Sequence, residues 1–144
     1  MEVFFISGHI NLTQQEFDLH YVDQIDQSIK KGGIYVIGNA QGGDTMALEY
    51  LLKKGVDPKK ITIYFYNRYG DSQSKKYIDR GLKVITGFKS YTHRDAHMTI
   101  SSNTDILWIR PESENIKLLG SAYKKGHVSG TEKNLLRRKQ NSLY

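Results

Sequence analysis

Two features of this sequence predict an α/β domain with a mostly parallel central sheet of about five strands. Short, almost wholly apolar runs (EVFFIS, IYVI, ITIYFY, DILWI) alternate with amphipathic helical stretches. Strands that are apolar on both faces belong in parallel sheets that helices cover from both sides. No internal repeat, linker or low-complexity segment interrupts the 144 residues, so a single domain spanning 1–144 is expected.

The elements follow in order. Glu2–Ser7 reads as a buried strand ending at Gly8. Thr13 and Glu16 fit a capping box, and Phe17, Tyr21, Ile25 and Ile29 then line one face of a single helix. Gly32-Gly33 stops it, and Ile34–Ile37 is the second strand. The loop from Gly38 to Asp44 leads into a helix that carries Met46, Ala47, Tyr50 and Leu51 and ends at Gly55. Ile61–Tyr66 is a third strand and Lys83–Ile85 a short fourth, while the polar stretch Asn67–Gly81 between them carries no clear period. Thr92–Ser102 reads as a helix with Thr92 and Asp95 in a capping relation, and Asp105–Ile109 as a fifth strand. A loop of about 19 residues follows, longer than the usual connection and so a candidate lid or binding loop. Ser129-Gly130-Thr131-Glu132 opens a last, basic helix.

Composition narrows the class. With 38% apolar residues and two prolines the chain is not a disordered one. No apolar run approaches the roughly 20 residues that span a bilayer, and no signal-peptide pattern opens the chain, so a soluble, cytoplasmic protein without membrane contact is expected. The absence of cysteine excludes a disulfide scaffold, a thiolate zinc site and a cysteine nucleophile. A net charge of +6 suits phosphate-bearing partners, although solvated charge explains it equally.

The strongest local signal is Gly38-Asn39-Ala40-Gln41-Gly42-Gly43-Asp44-Thr45. Glycines let backbone amides approach a ligand, and a helix N-terminus favours an anion. The segment is neither a Walker loop nor a dinucleotide GxGxxG, and a plain strand–helix turn capped by Asp44 accounts for it too. His93 and His97 are four apart on a helix, but no third ligand accompanies them, so no metal is predicted. Tyr64 and Tyr66 share a strand face and Trp108 lies in a strand, all explained by core packing; Tyr66 or Tyr69 at the strand's end could also stack on a base.

Strand one ending in Ile6-Ser7-Gly8, followed by GNAQGGDTMALEYL after strand two, resembles the SMF/DprA–LOG (SLOG) superfamily, and its YspA-like branch in particular. The G-x-x-x-G-x-D-x-x-A core stands at Gly38, Gly42, Asp44 and Ala47. Arg94-Asp95-Ala96-His97-Met98 ahead of Asp105-Ile106 is similar to the family's R-[N/D]-x-x-M helix before a D-[I/V] strand. Ser129-Gly130-Thr131 is similar to its Gly-Thr helix start. The three blocks span roughly residues 3–136.

That resemblance implies a Rossmann-like three-layer domain whose loops converge on a nucleotide or nucleotide-derived ligand, with no cofactor. It puts phosphate at the helix starts Gly42-Gly43-Asp44 and Gly130-Thr131, with Arg94 as counter-charge. Ser7 and Gly8 would contact the ligand at the end of strand one, and Asn39, Thr45 and Asn134 would orient ribose or base. It also implies a homodimer paired through flanking helices. The chain departs from the pattern at Asn134, where LOG phosphoribohydrolases and nucleoside deoxyribosyltransferases carry a catalytic Glu; an amide is neither nucleophile nor general base.

Three functions are therefore weighed. The first is a module that senses or sequesters a nucleotide-derived ligand. The second is an enzyme acting on a nucleotide N-glycosidic bond, with Glu132 replacing the missing carboxylate and Arg94 gripping phosphate; Ser129-x-x-Glu132 also has capping-box spacing. The third is DprA-like binding of single-stranded nucleic acid through Lys133, Arg137, Arg138 and Lys139, for which Tyr144 is the only aromatic in the tail.

Overall fold

The computed structural model describes residues 1–141. Five parallel strands, β1 (Val3–Ile6), β2 (Ile34–Gly38), β3 (Ile61–Tyr64), β4 (Lys83–Ile85) and β5 (Thr104–Ile106), form one sheet in the order β4-β3-β2-β1-β5. The chain steps outward from β1 to β4 and then crosses back, so β5 pairs with the free side of β1, with Phe5 opposite Asp105. The domain is α/β with a parallel sheet, as the alternation of apolar runs predicted, and Rossmann-like, as the resemblance implied. Reversal of the winding sense opens a crevice at the carboxyl ends of β1 and β5, the place where such sheets take ligands.

Strand alternation divides the core. Phe4, Ile6, Tyr35, Ile37, Ile61 and Ile63 face α1 (Gln14–His20), α2 (Val22–Lys30), α3 (Gly43–Lys53) and α4 (Lys75–Ile78). Phe5, Val36 and Tyr64 point the other way, against Met98 of α5 (Tyr91–Ile100). The second core is smaller, and α7 (Gly130–Asn141) packs on α5 there. Arg138 of α7 fastens the two helices to the sheet: its guanidinium donates to the carbonyls of Thr99 and Ser102 and pairs with Asp105 at 2.9 Å. Thr99 lies in the last turn of α5 and Ser102 just beyond its C-cap, where a cation is favourable.

Local reading and structure part company at several places. β3 ends at Tyr64 rather than Tyr66, and β5 is Thr104–Ile106 rather than Asp105–Ile109, which leaves Trp108 outside the strand. The helix expected through Tyr21 is two helices meeting at that residue, whose φ of −115° departs from helical geometry. Its buried hydroxyl donates to Ser7 O at 2.7 Å and accepts from Trp108 N–H, tying the ends of β1 and β5 together. The cap of α5 is Ser90, which accepts from His93 N–H, rather than Thr92. The N-cap of α3 is Gly42, with no side-chain cap, so Asp44 does not cap that helix. The polar stretch before β4 contains α4. The long loop after β5 contains α6 (Glu112–Leu119), none of whose residues is buried. No described helix is long and apolar enough to cross a membrane.

Candidate functional site

A cleft of about 1250 Å³ opens at the carboxyl ends of the strands. Ser7 and Gly8 supply its floor, Asn39 and Asp44 one wall, and Arg94 of α5 another. The start of α7 closes it with Ser129, Gly130, Thr131, Glu132 and Asn134. Residues drawn from four separate segments of the sequence thus meet around one space.

Gly38, Gly42, Gly43 and Thr45 stand behind this wall. The α3 N-terminus is pressed onto the loop after β1: Gly43 N–H donates to His9 O at 3.1 Å, and a methyl group on Gly43 would lie 2.5 Å from the Cα of Gly8. One amide expected to meet phosphate is thereby already engaged. Thr45 donates to Ala40 O, bracing the same turn. Gly38 leaves room for the charged wall, since a Cβ there would sit 2.6 Å from the Asp44 carboxylate and 2.8 Å from the Arg94 guanidinium.

Arg94 is buried, and its charge is balanced locally. Nε donates to Asp95 Oδ1 at 3.0 Å, with Nη2 in ion-pair contact with the same oxygen at 2.9 Å, and Nη1 donates to Asn39 Oδ1 at 2.9 Å. A guanidinium has five N–H groups, and hydrogen bonds within the described residues do not use all of them. Its carboxylate partner is thus Asp95, while Glu49 pairs with Arg80. Behind Arg94 lies Tyr91, with the guanidinium 5.1 Å from the ring centroid. Tyr66 packs edge-on against that ring, and Tyr69 projects away into solvent.

Asp44 is only 6% exposed, and its carboxylate accepts from Ala40 N–H at 3.1 Å. Burial pushes its pKa up to about 7, while Arg94 and the Ala40 amide pull in the opposite direction. Ser7 is 5% exposed and its hydroxyl has no hydrogen-bond partner among the described residues. Alternation along β1 puts its side chain on the Phe5 face, toward α5 and α7.

At the head of α7, Glu132 N–H donates to Ser129 Oγ, which is half of a capping box. The reciprocal bond from Ser129 N–H to the Glu132 carboxylate does not form among the described residues, and Glu132 lines the cleft. Asn134 is buried beside it, with Oδ1 accepting from Arg137. Arg137 and Arg138 of the basic helix are therefore turned to internal partners. Tyr144 lies outside the described residues.

Sequence reading missed Arg110, Tyr91 and the pair Lys124-Lys125, all of which line the cleft. Arg110 is a buried hub. Its guanidinium donates to Glu16 at 2.7 and 2.9 Å and to Asn11 and Asn115, and its N–H donates to His9 Nε2. Glu16 thus caps α1 and holds Arg110 together, and that bonding brings its carboxyl down to about 2. Burial first, and then Arg110, lower the pKa of His9. The available signal was Arg110 itself, a charged residue directly after an apolar strand. His93 and His97 meet at 3.1 Å on the outer side of α5, and no group of three metal-ligating side chains occurs among the described residues.

Comparison of the chain with protein-family models, curated proteins and solved structures finds no match.

Proposed function

We propose that the cleft binds a nucleotide or nucleotide-derived anion, as the resemblance to SLOG domains implies, and that the protein senses or sequesters it. One observation carries this reading. The Ser7 hydroxyl is buried on the cleft floor without a partner among the described residues, where the winding of the sheet reverses. An unsatisfied buried hydroxyl costs about 1–3 kcal/mol, and a ligand oxygen beside it removes that cost. The N–H groups of Arg94 that Asp95 and Asn39 leave over and the first amides of α7 supply further donors for an anion. A thermal-shift panel of nucleotides at millimolar concentration tests the proposal, because binding raises the melting temperature by mass action. Ser7→Ala should leave the free protein at least as stable and weaken the best ligand on the order of tenfold. No shift with any nucleotide, or equal binding by Ser7→Ala, would sink it.

The position of Glu132 supports a second reading, hydrolysis of the N-glycosidic bond. Glu132 lines the cleft, and its side chain does not complete the cap among the described residues. In that reaction the C1′–N bond breaks, water delivers hydroxide to the sugar and a proton to the base, and the carboxylate stabilises the oxocarbenium-like centre. Incubating each bound nucleotide and assaying free base decides between the two. Base release abolished by Glu132→Gln establishes the enzyme, and ligand recovered intact establishes the binding module.

A further inference from the structure

Asp44 is a buried carboxyl with no ion pair among the described residues. It lines the cleft on one side and, on the other, a recess of about 190 Å³ that also contains Thr45, Glu49, Lys76, Tyr77 and Arg80. The guanidinium nearest to it, Arg94, pairs with Asp95 instead. Only Ala40 N–H bonds to its carboxylate among the described residues. The charged and titratable groups around it are Arg94 and Asp95 from α5, Tyr21 from the α1–α2 junction, Lys76 and Tyr77 from α4, Arg80 just beyond, and Glu49 on its own helix. Of these, Glu49 and Arg80 satisfy each other in a two-pronged ion pair.

A phosphate entering this cleft brings negative charge beside a carboxylate in a poorly solvated wall. Two anions so placed cannot both remain ionised at low cost, so one must take a proton. The oxygen of Asp44 that does not accept from Ala40 can carry it and then donate to the incoming anion. We propose that Asp44 is a specificity-determining residue of the cleft, which accepts an anionic ligand only together with a proton. This rests on the binding function proposed above and adds the charge state that the site selects. With its free-state pKa near 7, Asp44 is mostly ionised in the unliganded protein above neutrality, so the proton must be taken up on binding.

Isothermal titration calorimetry of the full chain with adenosine 5′-monophosphate and with ribose 5-phosphate tests this. Titrations between about pH 7.5 and 8.5 keep the phosphate dianionic, since its second pKa is about 6. Comparing buffers of different ionisation enthalpy should reveal uptake of close to one proton per ligand, and affinity should fall nearly tenfold per pH unit. Asp44→Asn, which keeps an acceptor for Ala40 N–H, should bind with no pH slope in this range. Binding without proton uptake, or a slope that persists in Asp44→Asn, overturns the inference and leaves the binding function standing. If neither phosphate binds at any pH, the inference falls, and the proposed function is decided separately by the nucleotide panel and Ser7→Ala. The proton count on the unaltered protein stands whether or not the variant folds.

Discussion

The side chain of Asn39 forms a two-bond pair with the backbone of Tyr66. Nδ2 donates to Tyr66 O and Oδ1 accepts from Tyr66 N–H, both at 2.9 Å. A side-chain amide thus imitates a strand and carries the β2–β3 pairing past its last backbone rung, Gly38 opposite Tyr64. The same Oδ1 also accepts from Arg94, so the sheet end and the cleft cation are held by one residue.

Asn39→Asp keeps the acceptor but removes the donor, leaving Tyr66 O unpaired beside a new charge. The expected loss is about 1–3 kcal/mol in urea unfolding. A change below about 0.5 kcal/mol would show that water replaces the amide at no cost.

Gly43→Ala would push a methyl group into the Cα of Gly8, and neither backbone can yield without moving a strand end. A destabilisation of about 1–3 kcal/mol or more is expected. Gly130→Ala is the control, because a Cβ there meets open space; it should be neutral or slightly stabilising. Equal effects of the two variants would contradict the close contact between the loops.

Arg138→Ala would leave Asp105 buried without its cation and strip the α5 C-terminus of its donor. Breaking such a pair costs about 3–5 kcal/mol. Binding of single-stranded oligonucleotides should not change in any variant of this residue that still folds, since its fork points inward. A folded Arg138 variant that loses oligonucleotide affinity, with a steep salt dependence in the parent, would favour the basic helix as a nucleic-acid surface.

Two carboxyls should shape the stability profile in opposite senses. Glu16, held near 2, contributes stability that is complete above the usual carboxylate value of about 4 and is lost as the pH falls toward 2. Asp44, raised to about 7, keeps a proton in the folded state that the unfolded chain has released, so stability falls as the pH rises from about 4 to 7. Melting curves should show Glu16→Gln flattening the acid limb and Asp44→Asn flattening the decline toward neutrality. Unaltered slopes in both variants would mean that other groups govern the profile.

The layout of the sheet was legible in the sequence because it rests on local physics. Apolar runs marked four of the five strands, β4 was found at Lys83–Ile85 as read, and Thr13 with Glu16 formed the expected capping box. Glycine spacing pointed to the loop beside the cleft, although Gly42 and Gly43 turned out to serve backbone contact there. These signals act over a few residues, where hydrogen-bond reach and side-chain periodicity suffice.

Partnership across the fold was not legible. Arg110 is separated from Glu16 by 94 positions, Arg138 from Asp105 by 33 and Asn39 from Tyr66 by 27. The break at Tyr21 arises because its hydroxyl is claimed by the ends of β1 and β5, a demand no helix periodicity records. Asp44 reads as an ordinary helix cap, and only burial among distant segments makes it an uncompensated carboxyl. Local sequence determined where the five strands and the main helices lie, though not α4, α6 or the break between α1 and α2. Tertiary packing decided which polar groups share a cleft and what charge they carry there, because desolvation and pairing depend on neighbours that chain order does not specify.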